Sequence, residues 1–185
     1  MWSEKYRPQS ISDMVGNEEP RASIIEWFAK WKKGTKPLLI VGPPGIGKTT
    51  IAYLLAKQFD YDMIGLNASD VRSKSRINEI LTPVLGNVSV LGTPMIFVDE
   101  VDGIHGRGDY GGAAALVDIL KKSNIPILLA ANYDDSDKMK SIKKTVTTIS
   151  FKKIPPRLLR VYLDNILEKE NEKLSPGSLI KVIDK

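Results

Sequence analysis

The chain has 185 residues, 27 Lys and Arg against 22 Asp and Glu, and no cysteine. That length can bury a core of its own, and the missing cysteines exclude disulfides, thiolate metal sites and cysteine nucleophiles, so packing must supply the stability. The opening MWSEKYRP is charged with no apolar stretch behind it, and no run approaches the roughly eighteen apolar residues of a membrane span, so a soluble intracellular protein without leader or membrane anchor is expected.

In chain order, Ile24, Trp27, Phe28 and Trp31 fall at helical spacing and predict an amphipathic helix ended near Gly34. Short apolar runs with turn-forming flanks then predict strands at Pro37 to Val41, Tyr61 to Leu66, Pro94 to Val98, Pro126 to Ala130 and Val146 to Phe151. Helical segments separate them: Lys48 to Phe59, about Lys74 to Leu85, Gly112 to Lys122 and, more weakly, Asp137 to Lys144. Short buried strands alternating with helices imply an α/β fold, a parallel doubly wound sheet covered on both faces. After Pro155 and Pro156 a helix follows whose apolar side is Leu158, Val161, Tyr162, Leu163 and Ile166, and another starts around Ser175 and Pro176. The expected organisation is an α/β domain over residues 1–151 and the beginning of a helical lid, cut short, over 152–185.

The loop between the first predicted strand and the next helix carries the strongest chemical signal. GPPGIGKT, Gly42 to Thr49, matches G-x-x-x-x-G-K-[ST] in the strand-loop-helix context the motif requires. Gly42, Pro43, Pro44, Gly45, Ile46, Gly47, Lys48, Thr49 and the following Thr50 are the expected nucleotide contacts. Glycines let successive backbone N–H groups turn toward phosphate oxygens, and the helix adds its positive end. Lys48 is placed to reach the β- and γ-phosphates and the Thr49 hydroxyl to ligate Mg²⁺. MIFVDE ends a strand with Asp99, suited to hold Mg²⁺ through water, and Glu100, suited to polarise the attacking water. Asn132, just past the next strand, offers a neutral amide for the γ-phosphate or that water. The lone histidine, His105, reads as a turn residue. Eight basic residues stand against one acid between Asp137 and Arg160, a tract with two candidate roles, DNA or a neighbouring subunit.

Phosphate loop, acidic strand end and polar strand end occur in the order and spacing of AAA+ ATPases. WSEKYRP (Trp2 to Pro8), MVGN (Met14 to Asn17), NASDVRSK (Asn67 to Lys74) and DEVDGIHG (Asp99 to Gly106) further resemble archaeal replication factor C, the sliding-clamp loader, and in particular its large subunit. The resemblance covers essentially the whole chain. It implies an AAA+ P-loop NTPase with a parallel five-stranded sheet of order 5-1-4-3-2 and a lid beginning near residue 152. It implies ATP or ADP with Mg²⁺, the base side contacted by Tyr6, Arg7, Pro8, Val15 and Gly16. It also implies small-subunit partners in a hetero-oligomeric ring, a sliding clamp, primer-template DNA and a cytoplasmic, nucleoid-associated place in an archaeal cell. Arg72, Lys74, Arg76 and Arg107 are the implied DNA-contact or coupling residues, with the turn at Gly111 and Gly112, and Val88 to Thr93 is a candidate clamp contact. The chain departs from the small subunits at Lys143 to Val146, where no arginine finger stands, so it is expected to accept a finger from its neighbour and to turn over little alone. A branch-migration helicase motor and a nucleotide-binding scaffold with little hydrolysis are the alternatives.

Overall fold

The computed structural model describes residues 1–67, 70, 75, 77, 79, 93–104, 112–132 and 137–183. Five strands, β1 (Leu38–Val41), β2 (Tyr61–Leu66), β3 (Thr93–Val98), β4 (Ile127–Ala131) and β5 (Thr147–Ser150), form one sheet. Every pairing is parallel and the order is β2-β3-β4-β1-β5, the expected order read from the other edge. β1 and β4 are buried along their whole length, which is why both read as continuous apolar runs rather than alternating ones. Their side chains divide between two cores. Leu39, Val41, Leu129 and Ala131 face one, Leu38, Ile40, Leu128 and Ala130 the other.

The first core is closed by α4 (Gly112–Lys122), through Leu116 and Leu120, and by α5 (Asp137–Lys143), through Met139 and Ile142. The second is closed by α2 (Glu18–Ala29), through Ile24 and Phe28, and by α3 (Lys48–Gln58), through Ile51 and Leu55. α2 starts six residues before the apolar period and ends five before Gly34, so Trp31 lies outside it. Glu18 and Glu19 suit the positive end of a helix and Pro20 is tolerated in the first turn, signals that apolar spacing does not capture. The expected helix over 74–85 lies largely outside the described residues, although Ser75, Ile77 and Glu79 are helical and Ile77 is fully buried. A short α1 (Trp2–Lys5) and a 3₁₀ turn at Ile11–Asp13 are additional to the sequence reading.

α6 (Pro156–Glu170) begins with proline in its first turn and ends at Asn171 in the left-handed region; α7 (Pro176–Ile183) follows. The packed side of α6 agrees in part with the expected one: Ile166 is buried and Tyr162 and Leu163 are half-buried, whereas Leu158 and Val161 are exposed and Leu167 is buried in addition. The N-terminal segment and the segment after β5 supply the partners. Asn17 clamps the Lys152 backbone, Nδ2 donating to its carbonyl at 2.9 Å and Oδ1 accepting its N–H at 2.7 Å. The buried Arg21 donates to the carbonyls of Gly16 (2.9 Å) and Ile11 (2.5 Å), holding the strap that leads into α2. Further out, Lys5 Nζ (2.7 Å) and Tyr6 Oη (2.6 Å) both donate to Glu170 Oε1, while Tyr162 Oη donates to the Tyr6 carbonyl at 2.9 Å.

The basic tract is not one patch. Lys140, Lys143 and Lys144 precede β5, and Lys152, Lys153, Arg157 and Arg160 follow it, so the two groups sit at opposite ends of that strand. Lys144 shares a cleft with Lys36 and Lys121 at the amino ends of the strands.

Two outcomes follow from this packing. A Cβ on Gly42 would stand 2.7 Å from the Phe151 carbonyl and 2.5 Å from Ile46 Cδ1. Gly42→Ala should therefore cost about 1–3 kcal/mol, read as a melting temperature lowered by several degrees; an unchanged melt would contradict the close approach. The Lys5 and then the Tyr6 hydrogen bond hold the Glu170 carboxyl below the usual glutamate range. A depressed carboxyl contributes stability that is present above its unfolded-state value and is lost as pH falls through the folded one. Acidification into that window should lower the protection factors of the amides across residues 2–7, measured relative to intrinsic exchange at each pH, and Glu170→Gln should remove that pH dependence of protection.

Candidate functional site

Parallel strands bring all their carboxyl ends to one edge of the sheet, and the register aligns them. Val41 pairs with Ala131 on one side and Ser150 on the other, so β1, β4 and β5 end in step. From this edge emerge the phosphate loop at Gly42, Asp99 after β3, Asn132 after β4 and Phe151 after β5. Gly42 N–H donates to the Ala131 carbonyl (3.2 Å) and Phe151 N–H to that of Val41 (2.7 Å), which ties the exits together.

The loop wraps tightly because Gly47, at φ +93°, turns into α3 where a side chain would be strained and a Cβ would meet Met14 Cε at 2.8 Å. The turn places Lys48 at the start of α3 with only 9% of its surface exposed. Its ammonium donates to the carbonyls of Gly42 and Pro43, each at 2.8 Å, and to Asn132 Oδ1 at 3.1 Å. Burial lowers the Lys48 pKa, against the opposing pull of Asp99, Asp102 and Glu100, in that order. The next residue, Thr49, donates its hydroxyl to Asp99 Oδ2 at 2.6 Å. The other Asp99 oxygen accepts the Glu100 N–H at 2.9 Å. Glu100 itself is exposed and lies in the left-handed region, φ 53°, leading into a 3₁₀ turn over Val101–Gly103. Val101 and Ile104 are buried in the first core and pin that turn.

The four residues singled out for chemistry, Lys48, Asp99, Glu100 and Asn132, thus share one edge, together with Thr49. Beside the loop lies a cavity of about 230 Å³, lined by Pro8, Val15, Gly45, Ile46, Gly47 and Thr50 among others. Pro8 and Val15 were expected there. Met14, Ile154, Leu159 and Tyr162 also line it and were not. Gly16, at φ +72°, backs the wall through Ile154, whose side chain a Cβ would meet at 3.4 Å. Tyr6 and Arg7 line an adjoining cleft instead, shared with Asn165 and Lys169, where Tyr6 bonds Glu170 and Arg7 pairs with Glu4 at 3.1 Å. Pro44 is exposed on the outer side of the loop.

Asp102 had no role in the sequence reading. Its carboxylate accepts both the Asn132 backbone N–H (2.9 Å, Oδ1) and the Asn132 side-chain amide (3.1 Å, Oδ2). An acidic residue three past Asp99 on a turn whose neighbours are apolar is the only sequence signal that pointed to it. Arg72, Lys74, Arg76, His105, Arg107, Gly111 and residues 88–92 lie outside the described residues. No described group of three His, Cys, Asp or Glu side chains could hold a metal by itself, and no described helix is long and apolar enough to cross a membrane.

Comparison with known proteins agrees with this geometry. The chain is 42% identical over 188 residues to the replication factor C large subunit of Thermofilum pendens, a match covering 99% of this chain and 46% of the relative. It is 41% identical over 174 residues to that of Methanosphaera stadtmanae, covering 92% and 33%, and 34% identical over 187 residues to that of Methanocella arvoryzae, covering 100% and 34%. The chain therefore spans a third to a little under half the length of these relatives. Residues 38–171, from β1 through the end of α6, match the family model for the ATPase family associated with various cellular activities, so this chain belongs to the AAA ATPase family.

Proposed function

We propose that this chain is the nucleotide-binding part of a clamp-loader large subunit, in which ATP binding and hydrolysis drive opening of a sliding clamp and its placement on primer-template DNA. The observation that carries the reading is the Lys48 ammonium, sunk at the sheet edge between Gly42, Pro43 and Asn132 and adjoining a Thr49–Asp99 pair. Likeness to three replication factor C large subunits supports the assignment to that machine.

In this reading the triphosphate lies along Gly42 to Thr50, with loop N–H groups and the start of α3 facing its oxygens. Lys48 turns from the loop carbonyls to the β- and γ-phosphates. The donor set beside it, a hydroxyl and a carboxylate oxygen 2.6 Å apart, consists of hard oxygen ligands and fits Mg²⁺, which keeps several waters and takes its remaining ligands from phosphate. Thr49 and Asp99 would hold the ion, Asp99 through water; when bound it offsets charge on the β- and γ-oxygens. Glu100, exposed beside this pair, polarises the attacking water, and Asn132 steadies the γ-phosphate or that water without adding negative charge. The adenine occupies the cavity beside Pro8 and Val15 against Ile154 and Tyr162, so base binding draws the N-terminal strap and the lid, from about residue 152, onto one ligand. Arg7 and Tyr6 flank its outer rim.

The active form is a hetero-oligomeric ring with small subunits. In that ring a neighbour supplies the arginine finger for this site, and this chain, with no arginine from Lys143 to Val146, donates none in return. A finger contributes about 10³ to 10⁵ in rate, so the isolated chain binds nucleotide and turns it over slowly. Arg72, Lys74, Arg76 and Arg107 meet DNA phosphates on the inner side of the ring, and Arg72 relays that contact to Glu100.

The test is a ring assembled with partner subunits whose own phosphate-loop lysines are replaced, so that turnover reports this site alone. Glu100→Gln should leave ATP and clamp binding intact and lower hydrolysis by about 10² to 10⁴. Equal hydrolysis by both rings would make the subunit a nucleotide-binding scaffold.

A further inference from the structure

Asn132 sits between a group that only accepts hydrogen bonds and one that only donates them. Its Oδ1 meets the Lys48 ammonium at 3.1 Å, while its Nδ2 and backbone N–H meet the two carboxylate oxygens of Asp102 at 3.1 and 2.9 Å. An amide in that setting has one satisfied orientation, because a flip would set NH₂ against ammonium and carbonyl against carboxylate. Asp102 is well placed to impose it. The buried Val101 and Ile104 anchor the turn on either side, at 0% and 2% exposure, so the carboxylate cannot drift without disturbing the first core. One Asp102 oxygen also fixes the backbone at the exit of β4, so side chain and main chain of Asn132 are held by the same partner.

We propose that Asp102 is the positioning residue for Asn132. It fixes which face of the amide meets Lys48 and leaves the second Nδ2 hydrogen as a donor toward the γ-phosphate or the attacking water. The inference rests on the nucleotide reading above and deepens it. With Asp102→Asn, residue 102 can pair with either amide orientation of Asn132, so only Lys48 still opposes the flip and the donor is no longer always presented. Nucleotide affinity, set by the loop and Lys48, is unaffected; the loss falls on the chemical step.

The experiment uses the full-length protein in its assembled ring, other sites inactivated, with ATP affinity and turnover at saturating ATP measured for wild type, Asp102→Asn, Asn132→Ala and the double variant. Asp102→Asn should lower turnover by about tenfold to a hundredfold, the range a misplaced group produces, with affinity within about threefold of wild type. The double variant should be no slower than the slower single one, the mark of two residues acting through one contact. Should Asp102→Asn fail to assemble, Asp102→Glu, which keeps the charge and moves both oxygens, is judged by the same criteria. Wild-type turnover in Asp102→Asn, or losses that multiply in the double variant, would overturn the proposal while leaving the nucleotide reading standing. A wild-type ring that binds no ATP would remove the reading and the proposal together.

Discussion

A lysine ammonium taken out of water at the edge of a sheet must have its three donors met, and here they are met by neutral oxygens: two loop carbonyls and one amide. No carboxylate among the described residues forms an ion pair with it. Asp99, Asp102 and Glu100 favour its charge from a distance while burial opposes it. The site therefore carries a positive charge that dipoles satisfy and no direct counter-ion neutralises, which leaves it able to attract a polyanion. Much of the surrounding architecture serves this arrangement. Gly42 admits the Phe151 carbonyl, Gly47 turns the loop into α3, and the step between β1 and β4 puts Asn132 within reach of Nζ.

The parallel sheet is what makes the assembly possible. Chemistry-bearing residues from strands far apart in sequence arrive at one edge because every strand points the same way, and β1, β4 and β5 end in register. The cavity beside the loop is built differently. Beside the phosphate loop, its walls come from the N-terminal strap and from the segment after β5, joined by backbone-directed contacts of Asn17 and by Glu170 with Lys5 and Tyr6.

The strands were legible because buried parallel strands carry unbroken apolar runs, and β1 and β4 have no exposed position to interrupt them. β5, an edge strand with Thr147 and Thr148 exposed, gave a weaker pattern, and its pairing with β1 was anticipated only through the family resemblance. The phosphate loop was legible because its glycines and lysine are contiguous. What escaped reading depends on partners distant in sequence: Asp102 on Asn132, 30 residues on, Asn17 on Lys152, 135 on, and Tyr6 on Glu170, 164 on. A carboxylate or amide has no local spacing that names such a partner. The apolar side of α6 was legible only in part, since periodicity gives a stripe but not the part of it that is covered: Ile166 is buried, while Leu158 and Val161 stay exposed. The start of α2 was missed because its signals are first-turn charge and a first-turn proline, not period.

The claim that all of this depends on is that the Lys48 charge, rather than loop shape alone, holds the nucleotide. Titrating the full-length protein and its Lys48→Ala variant with a fluorescent ATP analogue tests it directly. Loss of charge-assisted hydrogen bonds worth about 1.5–3 kcal/mol each predicts affinity lower by about a hundredfold or more in a variant that melts normally. Affinity within about twofold of wild type would contradict the account.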